Sequence, residues 1–88
     1  MKPLNYAILK YFTKVSKASA NDVMEALKNE YSSFKAFNKK DIKDALLTAE
    51  ANGLIEEVAA DLSDDGELII YYQASEESKK TINSFIKD

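Results

Sequence analysis

The apolar residues of this 88-residue chain keep helical spacing from Leu4 to Ala49, and the period changes after Asn52-Gly53. Beyond that point Leu54 to Val58 and Glu67 to Gln73 read as strands, the second rich in Ile and Tyr. A polar turn, Asp61 to Gly66, ends in Asp65-Gly66 and joins them into a hairpin. A two-stranded hairpin is not stable alone in water, so it must lie against the helices that precede it. At this length there is apolar material for one core, which predicts a single domain over residues 1–88. The expected class is α+β, mostly α: three helices, a hairpin and a last helix.

The helices carry their own start and stop signals. The first is predicted from about Pro3 to Lys14, with proline in the first turn, where its missing N–H costs nothing. Leu4, Ile8, Tyr11, Phe12 and Val15 form its buried face, widened by Tyr6 and Leu9. After a break at Ser16 to Ser19, Ser19 caps the second helix with Asp22 as a capping-box-like partner. Val23, Met24, Leu27 and Tyr31 give that helix its apolar side. Tyr31 to Phe37 reads as a loop anchored by Phe34 and Phe37. Asn38 then caps a third helix that buries Ile42, Ala45, Leu46 and Ala49 and stops at Asn52-Gly53. Ser75 caps a last helix with an apolar stripe of Ile82, Phe85 and Ile86.

Composition removes several kinds of chemistry. There is no cysteine and no histidine, so disulfides, thiolate metal sites, cysteine nucleophiles and imidazole bases are excluded. Gly53 and Gly66 are the only glycines, too few for a phosphate-cradling loop. The serines have no cysteine or histidine to pair with, and the chain reads as a non-enzyme with no cofactor and no metal. No apolar run has the length of a signal peptide or a membrane span, which predicts a cytoplasmic protein with no membrane partner.

The net charge of −3 is unevenly spread. Residues 1–49 hold nine lysines and five acids, whereas residues 50–88 hold three lysines and ten acids. A nucleic-acid partner would therefore meet the first half.

Three helices followed by a packed hairpin is the winged-helix arrangement, and the chain resembles the winged helix-turn-helix regulators of bacteria. Ala45-Leu46-Leu47-Thr48-Ala49-Glu50-Ala51-Asn52-Gly53-Leu54-Ile55 is similar to the close of the recognition helix in PadR-like and MarR-like proteins, with Ala49 in place of the usual leucine. Tyr71 to Ser78 resembles the segment that leaves the wing in the same families, departing from it at Ala74, Ser75 and Ser78. The opening Tyr6-Ala7-Ile8-Leu9-Lys10 is similar to the start of YjcQ-like winged-helix proteins. These segments mark packing and turns rather than chemistry.

The resemblance implies a DNA-binding transcriptional regulator with helix 38–52 in the major groove of double-stranded DNA. Lys35, Lys39, Lys40 and Lys43 cluster around the N-terminal end of that helix, where lysines and the helix dipole both attract phosphate. Asn38 would add a polar contact, and Leu47 would meet a thymine methyl. Opposing features stand beside these. Asp44 shares the outer face, arginine is absent, and the hairpin tip carries Asp61, Asp64, Asp65 and Glu67. They motivate the alternative of a protein-protein interaction module whose acidic wing does not bind DNA.

Two weaker patterns have simpler readings. Asp61 to Gly66 resembles the opening of a calcium loop, but the closing position is Tyr72 rather than a glutamate, and a tight hairpin turn explains the same residues. The aromatics Tyr6, Tyr11, Phe12, Phe34 and Phe37 lie mostly at core spacing rather than forming a stacking surface. In regulators of this kind a terminal helix often pairs two subunits, so a homodimer through Ile82, Phe85 and Ile86 is expected.

Overall fold

A computed structural model describes residues 1–88. Four helices and one antiparallel hairpin follow in the expected order: α1 (Leu4–Phe12), α2 (Ala20–Tyr31), α3 (Lys39–Ala51), β1 (Glu56–Leu62), β2 (Leu68–Gln73) and α4 (Glu76–Phe85). The fold is α+β and mostly helical.

Local chemistry sets most boundaries. Ser19 and Asp22 form a reciprocal capping box: the Asp22 N–H donates to Ser19 Oγ at 3.2 Å, and the Ser19 N–H donates to Asp22 Oδ2 at 2.9 Å. Asn38 Oδ1 accepts from the Asp41 N–H at 2.9 Å and starts α3, while Ser75 Oγ accepts from the Ser78 N–H at 3.0 Å and starts α4. α3 ends in a Schellman motif. The Leu54 N–H reaches the Ala49 carbonyl and the Gly53 N–H the Glu50 carbonyl, with Gly53 at φ +78°.

The core is where the helical stripes converge. Phe12, Val23, Ile42 and Leu46 are essentially inaccessible, and Ile8, Tyr31, Ile55 and Tyr72 close around them. Full burial of a side chain of this size stabilises by about 1.5–3 kcal/mol relative to exposure. Tyr31 is buried because its hydroxyl finds a partner, donating to the Lys2 carbonyl at 2.7 Å. Tyr6, expected to widen the buried face of α1, is instead 44% exposed.

The hairpin differs from expectation in length and phase. β1 runs to Leu62 rather than stopping at Val58, and the register slips between Glu57 and Ala59, leaving Val58 as a bulge. The segment Glu-Glu-Val-Ala-Ala-Asp-Leu has no alternation of its own, so its extent is decided by pairing with the apolar β2. Ala18 and Tyr72 exchange two backbone hydrogen bonds of 2.9 Å, which tie β2 to the segment before α2. Ala18 is completely buried there. As strand geometry requires, the adjacent tyrosines part company: Tyr72 enters the core and Tyr71 lies under the Lys17 ammonium, 5.1 Å from its ring centre.

α4 packs on α1. Ile82 and Ile86 are 0% and 2% exposed within the single chain, so the inner part of the expected pairing stripe is covered by the domain itself. Only Phe85 of that stripe is displayed at the surface, edge-on to Tyr6. Between the two helices Lys10 is buried, its ammonium donating to Asn83 Oδ1 and to the Ile86 carbonyl. No helix is long and apolar enough to cross a membrane.

Candidate nucleic-acid interface

α3 holds its apolar stripe inward, so its remaining faces are set by the 100° step between residues. Ile42, Leu46 and Ala49 are buried, Ala45 is half-buried, and Lys40, Lys43, Asp44 and Leu47 are turned to solvent. Lys39 stands at the first turn and Lys35 in the preceding loop, exposed. The lysines expected around the N-terminal end of α3 are thus brought together there.

Their electrostatic partners come from two places. Lys40 is paired with Asp44 one turn along the same helix, at 3.2 Å, with the lysine side chain 83% exposed. Lys39 and Lys43 both meet Glu67, the residue that opens the return side of the hairpin; the Lys43 pair measures 3.6 Å. The Lys39 ammonium bonded to Glu67 holds its carboxyl below the usual glutamate range, and Lys43 acts in the same direction. Asn38 is spent on capping. Its Nδ2 donates to Asp41 Oδ2 and to the Lys35 carbonyl while its Oδ1 caps the helix.

Beside the Lys39–Glu67–Lys43 cluster lies a cleft of about 310 Å³ between α3, the start of α2 and β2. Leu46, Leu47, Leu68, Ile70 and Tyr72 make its walls apolar. Leu47 and Leu68 are 54% and 56% exposed, and Leu62, paired with Leu68 across the hairpin, is 66% exposed. Leu47, expected as a base contact, therefore stands at the edge of an apolar cleft.

The acids of the hairpin tip serve the turn. Ser63 Oγ donates to Asp65 Oδ1 and accepts from the Glu67 N–H, and Gly66 takes φ +85°. The Ser63 hydroxyl bond lowers the Asp65 carboxyl, with help from the Glu67 N–H. Asp61 Oδ1 accepts from the Leu62 N–H.

Sequence reading places the lysines, Asp44 and the acidic tip but misses two features. One is the return of Glu67 to α3; the other is the apolar cleft. The only signal for the cleft is the surplus of apolar residues at 62, 68, 69 and 70, beyond what one strand face can bury. No protein-family model and no curated protein matches the chain.

Proposed function

We propose that the chain is a winged helix-turn-helix domain that binds double-stranded DNA as a transcriptional regulator, with α3 as recognition helix and the β1–β2 hairpin as wing. The observation that carries this reading is the gathering of Lys35, Lys39, Lys40 and Lys43 at the solvent-facing N-terminal end of α3. The packing of α2 on α3 and the element order support it. The ion pairs of Lys39, Lys40 and Lys43 lie at the surface, where water and salt screen them, so phosphate can displace them. Asn38 is a helix cap in this reading and contributes by fixing where the lysines sit.

Fluorescence anisotropy of a labelled duplex at two salt concentrations tests the proposal. If four lysines neutralise four phosphates, log K falls against log salt with a slope of about −3.6. Lys40→Ala with Lys43→Ala removes two contacts, which lowers affinity and reduces the slope by about 1.8. An affinity and slope unchanged by the double substitution would refute the assignment of this face.

A second reading, a protein-protein interaction module, is favoured by the cleft and by the engagement of Lys39 and Lys43 with Glu67. It predicts no duplex binding at low salt and a protein partner that is lost on Leu47→Asp.

A further inference from the structure

Two features have no use in duplex binding: the apolar cleft between α3 and β2, and the acidic hairpin tip, whose Asp64 and Asp65 do not line it. They are complementary to each other. The start of α3 and the loop before it carry Lys35, Lys39, Lys40 and Lys43, and the turn of the hairpin carries Asp64, Asp65 and Glu67, whereas Asp61 precedes Leu62 in β1 and points to the other side of the sheet from Leu62 and Leu68. Within the chain only Glu67 crosses between the two groups. Asp61, Asp64 and Asp65 form no ion pair, and Lys40 pairs only along its own helix. The apolar parts match in the same sense. The cleft is the recess, and Leu62, which does not line it, is the most exposed leucine and stands on the hairpin beside the acids.

A surface that carries both an apolar recess edged by lysines and an acidic, apolar projection fits a second copy of itself turned by a two-fold rotation. We propose that this chain forms a homodimer through the α3–hairpin face, each hairpin tip lying over the cleft of the other subunit. Leu62 and Leu68 of one subunit cover Leu47 of its partner, and the acids of each tip meet the lysines at the start of the opposite α3. A standard interface takes about 800 Å² from each partner. That is about one seventh of the 5528 Å² surface, within the reach of one face of a body measuring 39 × 30 Å. The contact covers the N-terminal end of α3, so self-association and duplex binding would exclude one another. The dimer does not rest on the DNA reading and is tested without nucleic acid.

Sedimentation velocity of the full chain over a concentration series gives the test. The wild type is expected to move from 9.9 kDa to twice that mass, more weakly as salt rises. Leu62→Asp, at a position that is exposed in the subunit, should keep its thermal melt and weaken dimerisation at least about tenfold, since a carboxylate is placed in the apolar contact. The pair Lys35→Glu with Lys40→Glu should be monomeric by itself, and so should Asp64→Lys at the tip of the turn. Mixed together, the two variants should form a heterodimer, because each reversed patch then meets its opposite. That rescue separates a specific interface from damage to the fold. A monomer at concentrations up to about 1 mM, where any association stronger than about 4 kcal/mol would be seen, overturns the proposal. So does a dimer indifferent to Leu62→Asp and abolished by Phe85→Asp, which would place the interface on α1 and α4.

Discussion

Replacing Lys10 by methionine isolates the one buried cation that joins the two ends of the chain. Lys10 is 8% exposed, between α1 and α4. α4 has no basic residue in its own last turn, and its final carbonyls lack helical partners. Lys10 supplies both needs from another element: its Nζ donates to the Ile86 carbonyl at 3.0 Å and to the Asn83 side chain, at the negative end of the α4 dipole. Methionine fills the same volume without the donors. Asn83 is exposed and returns to water, but the bonded Ile86 carbonyl is left buried and unpartnered. Hydrogen bonds to a charged group contribute about 1.5–3 kcal/mol, and the orphaned carbonyl adds its own desolvation, so a net loss of about 2 kcal/mol is expected. For a domain of this size each kcal/mol moves Tm by about 4–8 °C, which makes the expected fall about 8–16 °C in a melt followed by circular dichroism. Asp88 lies 3.8 Å from Lys10 but is exposed, so Asp88→Asn should leave the melt close to that of wild type. A Lys10→Met protein that melts within a degree or two of wild type, or an Asp88→Asn protein that loses more than Lys10→Met, would refute the reasoning.

Three further outcomes follow from the same geometry. Phe12→Ala removes a side chain with 0% exposure from the centre of the core and should cost about 3–5 kcal/mol in urea unfolding, whereas Tyr6→Ala, at a half-exposed position, should cost much less. At Gly53, φ is +78° and nothing lies within 4 Å of an added Cβ, so the penalty of Gly53→Ala is conformational alone, about 1–2 kcal/mol, and Gly53→Asn should recover part of it in the same assay. The Glu67 carboxyl lies below its ordinary value of 4.5 because of Lys39, and Asp65 lies below its ordinary value of 3.8 because of Ser63. A lowered carboxyl stabilises the fold above its unfolded pKa, and that stabilisation is lost as the pH falls through the folded value. Melts taken from pH 5 downward should therefore drop, and Glu67→Gln with Asp65→Asn should flatten that acid limb; an unchanged limb would show that neither pairing persists in solution.

What the sequence determines here is local. Ser19, Asn38 and Ser75 cap helices because a short oxygen-bearing side chain satisfies an N–H three residues on, and Gly53 and Gly66 turn the chain because only glycine takes positive φ freely. The 3.6-residue spacing of Ile42, Leu46 and Ala49 fixes which side of α3 is buried and hence which side carries Lys40, Lys43 and Leu47. Each of these depends on residues within one or two turns of one another. Tertiary structure alone decided the rest, because it turns on partners far apart in the chain. β1 takes its length and its bulge from β2, and the stripe read at Ile82 and Ile86 as a subunit surface is covered when α4 lies on α1. Lys10 is an ordinary solvated lysine in the sequence and becomes the clasp of α4 through residues more than seventy positions away. The lysines of α3 were visible from the start, yet their meeting with Glu67 and the apolar cleft beside them exist only because the hairpin folds back on α3. Charge and hydrophobicity are properties of residues, but a site is made when the backbone brings two of its surfaces together.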